Sequence, residues 1–229
     1  MKPTHPTGRA LGVLFLLPLL TYASGSSILS TVFDSPNYLS EAASSTHWVT
    51  TGALLVLVNS IAVVAIGVLF HPILARLNKR IALAYVSARL AESVLLLGGL
   101  ISLLALLTLS EAYVKAGGVS TPGFEVLAQL ARAASFRAYQ LAMIVLGLGS
   151  LGFCHLLYRH QLVPGFIALS GLAGYALLAV GAVLELFGFA VGVWLSVPGG
   201  LFEVTLGVWL LTRGLPFPPG SGSPGRPAS

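Results

Sequence analysis

The chain has 229 residues, 56% of them hydrophobic and only 8% charged, with a formal net charge of +5. A soluble domain carries about 25% charged residues, and a soluble fold of this size would need far more charge to cover its surface. The mean hydropathy of +0.91 fits a chain whose outer surface faces lipid tails. A basic balance in a soluble protein would suggest nucleic acid. Here Lys and Arg stand scattered at the ends of apolar runs, without clusters or interleaved aromatics, so they read as topology-setting charges and no nucleic-acid partner is expected.

Apolar runs long enough to cross about 30 Å of hydrocarbon need about 20 residues each, and six are found: 10–33, 48–70, 81–110, 137–158, 163–187 and 198–215. They predict an all-α, polytopic membrane bundle of six transmembrane helices. In the first run, Lys2 and Arg9, the apolar stretch 11–20 and Tyr22-Ala23-Ser24-Gly25 have the shape of a signal peptide. Apolar character resumes at 28–33, so an uncleaved first helix is expected. Segment 34–47, rich in Ser, Asn, Pro and Tyr, reads as an irregular cap, and His71-Pro72 marks the end of the second helix. After the third run, Gly117-Gly118 and Thr121-Pro122-Gly123 break the chain. Phe124, Leu127, Leu130, Ala131 and Ala134 then recur at helical spacing, as either a short interfacial helix or an extended start to the fourth helix. The sixth run is short, either little tilted or extended backwards through 191–197. Residues 1–215 read as one domain, and 216–229, Pro, Gly and Ser with one Arg, as a disordered cytoplasmic tail.

Lys2, Arg9, Arg76, Lys79, Arg80, Arg159 and Arg213 all fall on one side if both termini are cytoplasmic, which obeys the positive-inside rule. An N-in, C-in orientation is therefore expected.

Inside the third run, Tyr85, Arg89, Glu92, Leu96 and Gly99 share one face of a 3.6-residue helix. Counted from residue 81, Arg89 lies about 12 Å and Glu92 about 16 Å along the axis. An unpaired charge at the bilayer centre costs about 2.5–3.5 kcal/mol on insertion scales. That face must therefore point into the bundle or a wet cavity, either as a structural pair or as a ligand, ion or proton site. Glu203 follows Pro198-Gly199-Gly200, about one and a half turns into the last run. Glu185, Arg137 and Gln140 enter from the same side and converge with Glu203 in one arrangement, although snorkelling accounts for Arg137 and Glu185. Asn59 and Ser60 lie mid-way through the second run, at positions that commonly bond a neighbouring helix.

His155 and His160 are five apart and do not stack on one face as a zinc pair would. His155 alone is a poor haem ligand candidate. Cys154, the single cysteine, offers no multi-thiolate site. The motifs of the easily recognised hydrolases and phosphate loops are missing. No catalytic residue, metal site or cofactor is assigned.

The pattern Tyr85-x-x-x-Arg89-x-x-Glu92, the stretch from Tyr158 to Pro164, and Pro198-Gly199-Gly200-x-x-Glu203 leading on to Trp209 and Arg213-Gly214 occur in that order. Together they resemble the bacterial integral-membrane family numbered 4386 among the domains of unknown function, over 10–215. The resemblance implies six helices and a bacterial inner membrane, with Arg89, Glu92, Glu185 and Glu203 at the family's recurrent polar positions. It carries no activity.

The reading is a non-enzymatic membrane protein with a polar core. It binds a lipid or small amphiphile, or serves as an accessory subunit of a larger membrane assembly. Two alternatives stay open. One is a small proton-coupled transporter in which Glu92 or Glu203 titrates as Arg89 changes partners; the other is an intramembrane enzyme with a glutamate as general base.

Overall fold

In lipid every backbone N–H and C=O must be satisfied within the protein, and an apolar run of 20 or so residues achieves this as a helix. The computed structural model describes residues 6–119 and 121–214. Among these, seven helices follow one another: α1 (Pro6–Phe33), α2 (Tyr38–Ser44), α3 (Thr46–Ala75), α4 (Lys79–Lys115), α5 (Pro122–Arg159), α6 (Gly165–Leu186) and α7 (Gly192–Arg213). All except α2 are long and apolar enough to cross a membrane. Each long helix packs against the next one in the chain, and α1 packs against α7, so the six close into an up-and-down ring.

Small residues set how tightly the ring closes. With lipid outside, helices gain most from close backbone approach, which Gly permits. A Cβ added to Gly12 of α1 would lie 2.7 Å from the Leu211 backbone and 2.8 Å from the Gly207 carbonyl of α7. One added to Gly174 of α6 would meet the Gly199 backbone of α7 at 2.8 Å. These contacts seat α7 between α1 and α6.

Three helix ends share one device. After α4, α5 and α6, the second residue beyond the cap returns its N–H to the carbonyl five back: Gly118 to Tyr113, Leu162 to Leu157 and Phe189 to Leu184. The residue before it must then take a left-handed conformation. Gly117 (φ 87°) and Gly188 (φ 90°) do so freely, whereas at the end of α5 the position is filled by Gln161 (φ 49°).

Several boundaries differ from those the sequence suggests. Segment 34–47 contains α2, and α3 already begins at Thr46. Pro72 lies inside α3, not at its end. Of the two readings open for 124–134, the extended start holds: the pattern is the beginning of α5, continuous with its membrane span. At about 1.5 Å per residue, α4 and α5 are each about 55 Å long, so their hairpin projects past about 30 Å of hydrocarbon. There α2, the end of α1, the start of α3 and the hairpin share a second apolar cluster that includes Phe33, Leu39, Val49, Leu106 and Ala128. The last helix is extended backwards, one of the two readings the sequence allowed: it begins at Gly192, with Pro198 in its interior. Pro198 removes only the bond to the Trp194 carbonyl, so Glu203 lies about 16 Å into α7, deeper than a helix beginning at 198 would place it. The tail expected at 216–229 lies outside the described residues.

Candidate functional site: a buried ion network on a cavity wall

The register of α4 is fixed at its start. Asn78 stands at the N-cap and its Oδ1 accepts from the backbone N–H groups of Arg80 (3.0 Å) and Ile81 (3.1 Å). Two to five turns on, Tyr85, Arg89, Glu92, Leu96 and Gly99 face inward, and all are buried. Arg89 is 2% and Glu92 3% exposed.

Arg89 is held from several directions. Its Nη1 donates to Glu92 Oε2 at 3.0 Å, a salt bridge one turn apart on the same helix. Its Nε donates to the Tyr85 hydroxyl at 3.2 Å, and Nη2 reaches the Tyr175 hydroxyl of α6 at 3.5 Å. Tyr175 in turn donates to Glu203 Oε1 of α7 at 2.8 Å, and Arg89 Nη2 stands 3.9 Å from that same oxygen. The network thus ties α4, α6 and α7. Behind it Tyr85 stacks on Phe153 (4.6 Å between centroids), and Phe70 and Phe15 pack edge-on and alongside. This aromatic wall leaves the Tyr85 ring little freedom, so the donor and acceptor positions around Arg89 are preset.

The network forms part of the wall of a cavity of about 240 Å³ to which all six membrane helices contribute. Phe15, Leu19, Val63, Met143, Leu146 and Leu178 supply apolar surface; Asn59, Arg89, Glu92, Tyr175 and Glu203 supply polar atoms. A second cavity of about 240 Å³ lies alongside, lined among others by Ser26, Asp34, Arg132 and Ser135. Tyr22, Leu96 and Tyr139 line both. Tyr22 and Tyr139 are stacked, with centroids 5.7 Å apart and planes 13° from parallel, and stand as a partition between the two spaces. At the second cavity Arg132 Nη2 donates to Asp34 Oδ1 at 3.0 Å, with its guanidinium over the Tyr38 ring.

The residues singled out from the sequence are placed unevenly. Tyr85, Arg89, Glu92 and Glu203 come together, and Asn59 lines the same cavity. Ser60 joins α3 to α4 by accepting the Ser93 hydroxyl at its carbonyl (3.0 Å). Glu185, Arg137 and Gln140 do not converge on Glu203. Glu185 Oε1 accepts the Gly192 N–H at 2.7 Å, satisfying a backbone donor at the start of α7. Arg137 is exposed on α5, and Gln140, though buried, makes no side-chain hydrogen bond to a described residue. Sequence reasoning missed Tyr175, the bridge between Arg89 and Glu203, and the paired Tyr22 and Tyr139. The available signal was a tyrosine in mid-run, whose hydroxyl needs a partner when buried. The Ser196 hydroxyl on the cavity wall donates to the Val193 carbonyl (2.8 Å), so it is not paired with a base.

These features define a polytopic helical membrane protein with an ion network facing an internal cavity. The chain belongs to the family described as a domain of unknown function, DUF4386, which matches residues 10–214. No curated protein and no solved structure matches it.

Proposed function

We propose that this protein binds a small amphiphile or lipid-like molecule in the membrane and is not an enzyme. The observation that supports this reading is the cavity inside the ring, apolar over most of its wall and polar where Arg89, Glu92, Glu203 and Asn59 meet it. Ligand sites have that character: apolar surface for affinity and a few placed polar groups for orientation. Ionisable groups at membrane depth cost enough to be kept mainly where they work. The ring sits in a bacterial inner membrane with both termini cytoplasmic, so that Arg76, Lys79, Arg80, Arg159 and Arg213 lie inside. The α4–α5 hairpin then projects outward and offers a surface to a larger membrane assembly.

The test is mass spectrometry of small molecules retained by the full chain extracted in lipid nanodiscs, comparing wild type with Gly200→Leu, which adds a bulky side chain at the cavity lining. A species retained by wild type and lost from the variant is the expected result. Equal retention, or none, sinks the reading. For orientation, Ser35→Cys should react with an impermeant thiol reagent in intact cells, and Gln161→Cys only after lysis; the reverse overturns it.

A second reading, a small proton-coupled carrier, draws on the two cavities in series with the Tyr22–Tyr139 partition between them. It requires proton flux in vesicles that Glu203→Gln abolishes.

A further inference from the structure

With both glutamates ionised, the charges on the cavity wall do not balance. Arg89 is a fixed cation, and it stands between two carboxylates, 3.0 Å from Glu92 and 3.9 Å from Glu203. Each carboxylate uses one oxygen: Glu92 Oε2 accepts from Arg89 and Glu203 Oε1 from Tyr175. Glu92 Oε1 and Glu203 Oε2 accept no hydrogen bond from a described residue. A third polar group on the wall has bonding capacity to spare, its amide supplying one acceptor oxygen and two N–H donors. Asn59, on α3 across the ring, is 4% exposed, lines the same cavity and has no hydrogen bond to a described residue. Polar groups facing such a cavity are paired by water or by a ligand, and a carboxylate oxygen with neither is costly. With both carboxylates ionised, the wall therefore carries one negative charge beyond what Arg89 balances, and two carboxylate oxygens without a donor.

We propose that the occupant carries a protonated amine, an alkylammonium head seated between Glu92 and Glu203. Its N–H groups donate to the free carboxylate oxygens and to Asn59 Oδ1, and its apolar tail lies along Phe15, Leu19 and Met143. An ammonium has three donors and no acceptor, which matches the two unused carboxylate oxygens and the Asn59 amide oxygen. The Tyr22 and Tyr139 rings add faces that attract a cation. A carboxylate or phosphate head would meet two like charges at a guanidinium already engaged, which is strong discrimination against it. A hydroxyl head would leave the excess charge in place. This inference rests on the binding reading above and names the ligand class that the reading leaves open.

Octylamine, octanol and octanoate share a tail and differ in the head. Thermal unfolding of the full chain in nanodiscs of zwitterionic lipid is followed with each at equal free concentration, for wild type, Glu203→Gln and Gly200→Leu. Octylamine should stabilise wild type with an affinity about tenfold or more above octanol, the scale of a charge-assisted hydrogen bond, and octanoate should do no better than octanol. Glu203→Gln should lose the preference for the amine while still responding to octanol, and Gly200→Leu should respond to neither. Equal effects of octylamine and octanol on wild type overturn the ammonium head but leave the binding site standing, and a preference for octanoate overturns it outright. An octylamine shift that persists in Gly200→Leu is an effect of the bilayer and also overturns it. If none of the three acts, both this inference and the binding reading fall. The ranking on wild type decides even if Glu203→Gln does not fold.

Discussion

Gly200 and Gly207 stand seven residues apart on one face of α7, yet they meet different surroundings. A Cβ on Gly207 would touch the Leu16 side chain of α1 at 2.8 Å, whereas one on Gly200 would meet nothing within 4 Å. Two helical turns bring a residue back to nearly the same direction, so α1 and α7 are closed at Gly207 and open at Gly200. The opening coincides with the cavity, whose wall includes Gly200 and, on α1, Pro18 and Leu19. Pro18 withholds the N–H that would bond the Leu14 carbonyl, which loosens α1 beside the opening. Gly200→Leu should therefore leave the melting temperature unchanged or raise it, since Gly within a helix costs about 0.5–1 kcal/mol relative to Ala. Gly207→Leu overpacks the α1–α7 contact and should destabilise by about 1–3 kcal/mol. Thermal melts of the two variants in one detergent decide it, and equal losses would contradict the gap.

Arg89 is the hub of the buried network, so its removal and the removal of the pair should have different consequences. Arg89→Met leaves Glu92 and Glu203 without their cation and should cost about 3–5 kcal/mol, the penalty for stranding a buried charge. Adding Glu92→Met removes the nearer of the stranded acids and should recover most of that loss, since apolar replacements of a buried pair are often neutral. Chemical unfolding of the single and double variants measures this. A double variant no better than the single would mean that the Arg89–Tyr175–Glu203 contacts, not the salt bridge to Glu92, dominate.

Gln161 occupies a left-handed position at the end of α5, where α4 and α6 place glycine. A left-handed residue other than Gly costs about 1–2 kcal/mol, offset partly by the greater freedom of glycine in the unfolded chain. Gln161→Gly should accordingly raise stability by about 0.5–1 kcal/mol. No loss of bound small molecule should accompany it, because Gln161 lies at the opposite end of α5 from the start of the hairpin and off the cavity wall. A fall in melting temperature would mean that the Gln161 side chain contributes a contact of its own.

Much of the fold was legible because hydrocarbon imposes a length on every crossing helix, so the six spans could be counted from apolar runs alone. The inward face of α4 was legible for a similar reason: Arg89 and Glu92 cannot face lipid cheaply, and the helical period carried Tyr85 with them. What could not be read was the pairing of distant helices. The seam of α1 and α7 at Gly12 and Gly207 depends on which small residues meet, and a single sequence holds many glycines of equal standing. The seven-residue α2 is too short to produce an apolar period. Pro198 suggested a helix start because proline favours the first turn, but of the two readings the sequence left open the backward extension holds, and the helix carries Pro198 in its interior two residues before Gly200. Glu185 looked like a companion of Glu203 because both are acidic residues near the same membrane face. Its carboxylate instead serves the start of α7, a role visible only once the turn between α6 and α7 is folded.

The stacked Tyr22 and Tyr139 rings make a prediction about access. They and Leu96 are shared by both cavities, so a molecule entering past Asp34 and Arg132 must displace the pair to reach Arg89. The chain has one cysteine, Cys154, and it is fully buried, so a Cys154→Ala background is free of thiols. In that background Ser135→Cys, in the second cavity, should react quickly with a small polar thiol reagent, and Asn59→Cys, beyond the partition, slowly. Tyr139→Ala should raise the rate at Asn59→Cys severalfold while leaving Ser135→Cys within about twofold, because only the inner position is behind the ring. Tyr139→Phe keeps the stack and should leave both rates as they were. Mass spectrometry of the labelled protein over time gives the rates. An Asn59→Cys rate indifferent to Tyr139→Ala would place the route to the network elsewhere, the gap beside Gly200 being the alternative that the packing of α1 on α7 leaves open.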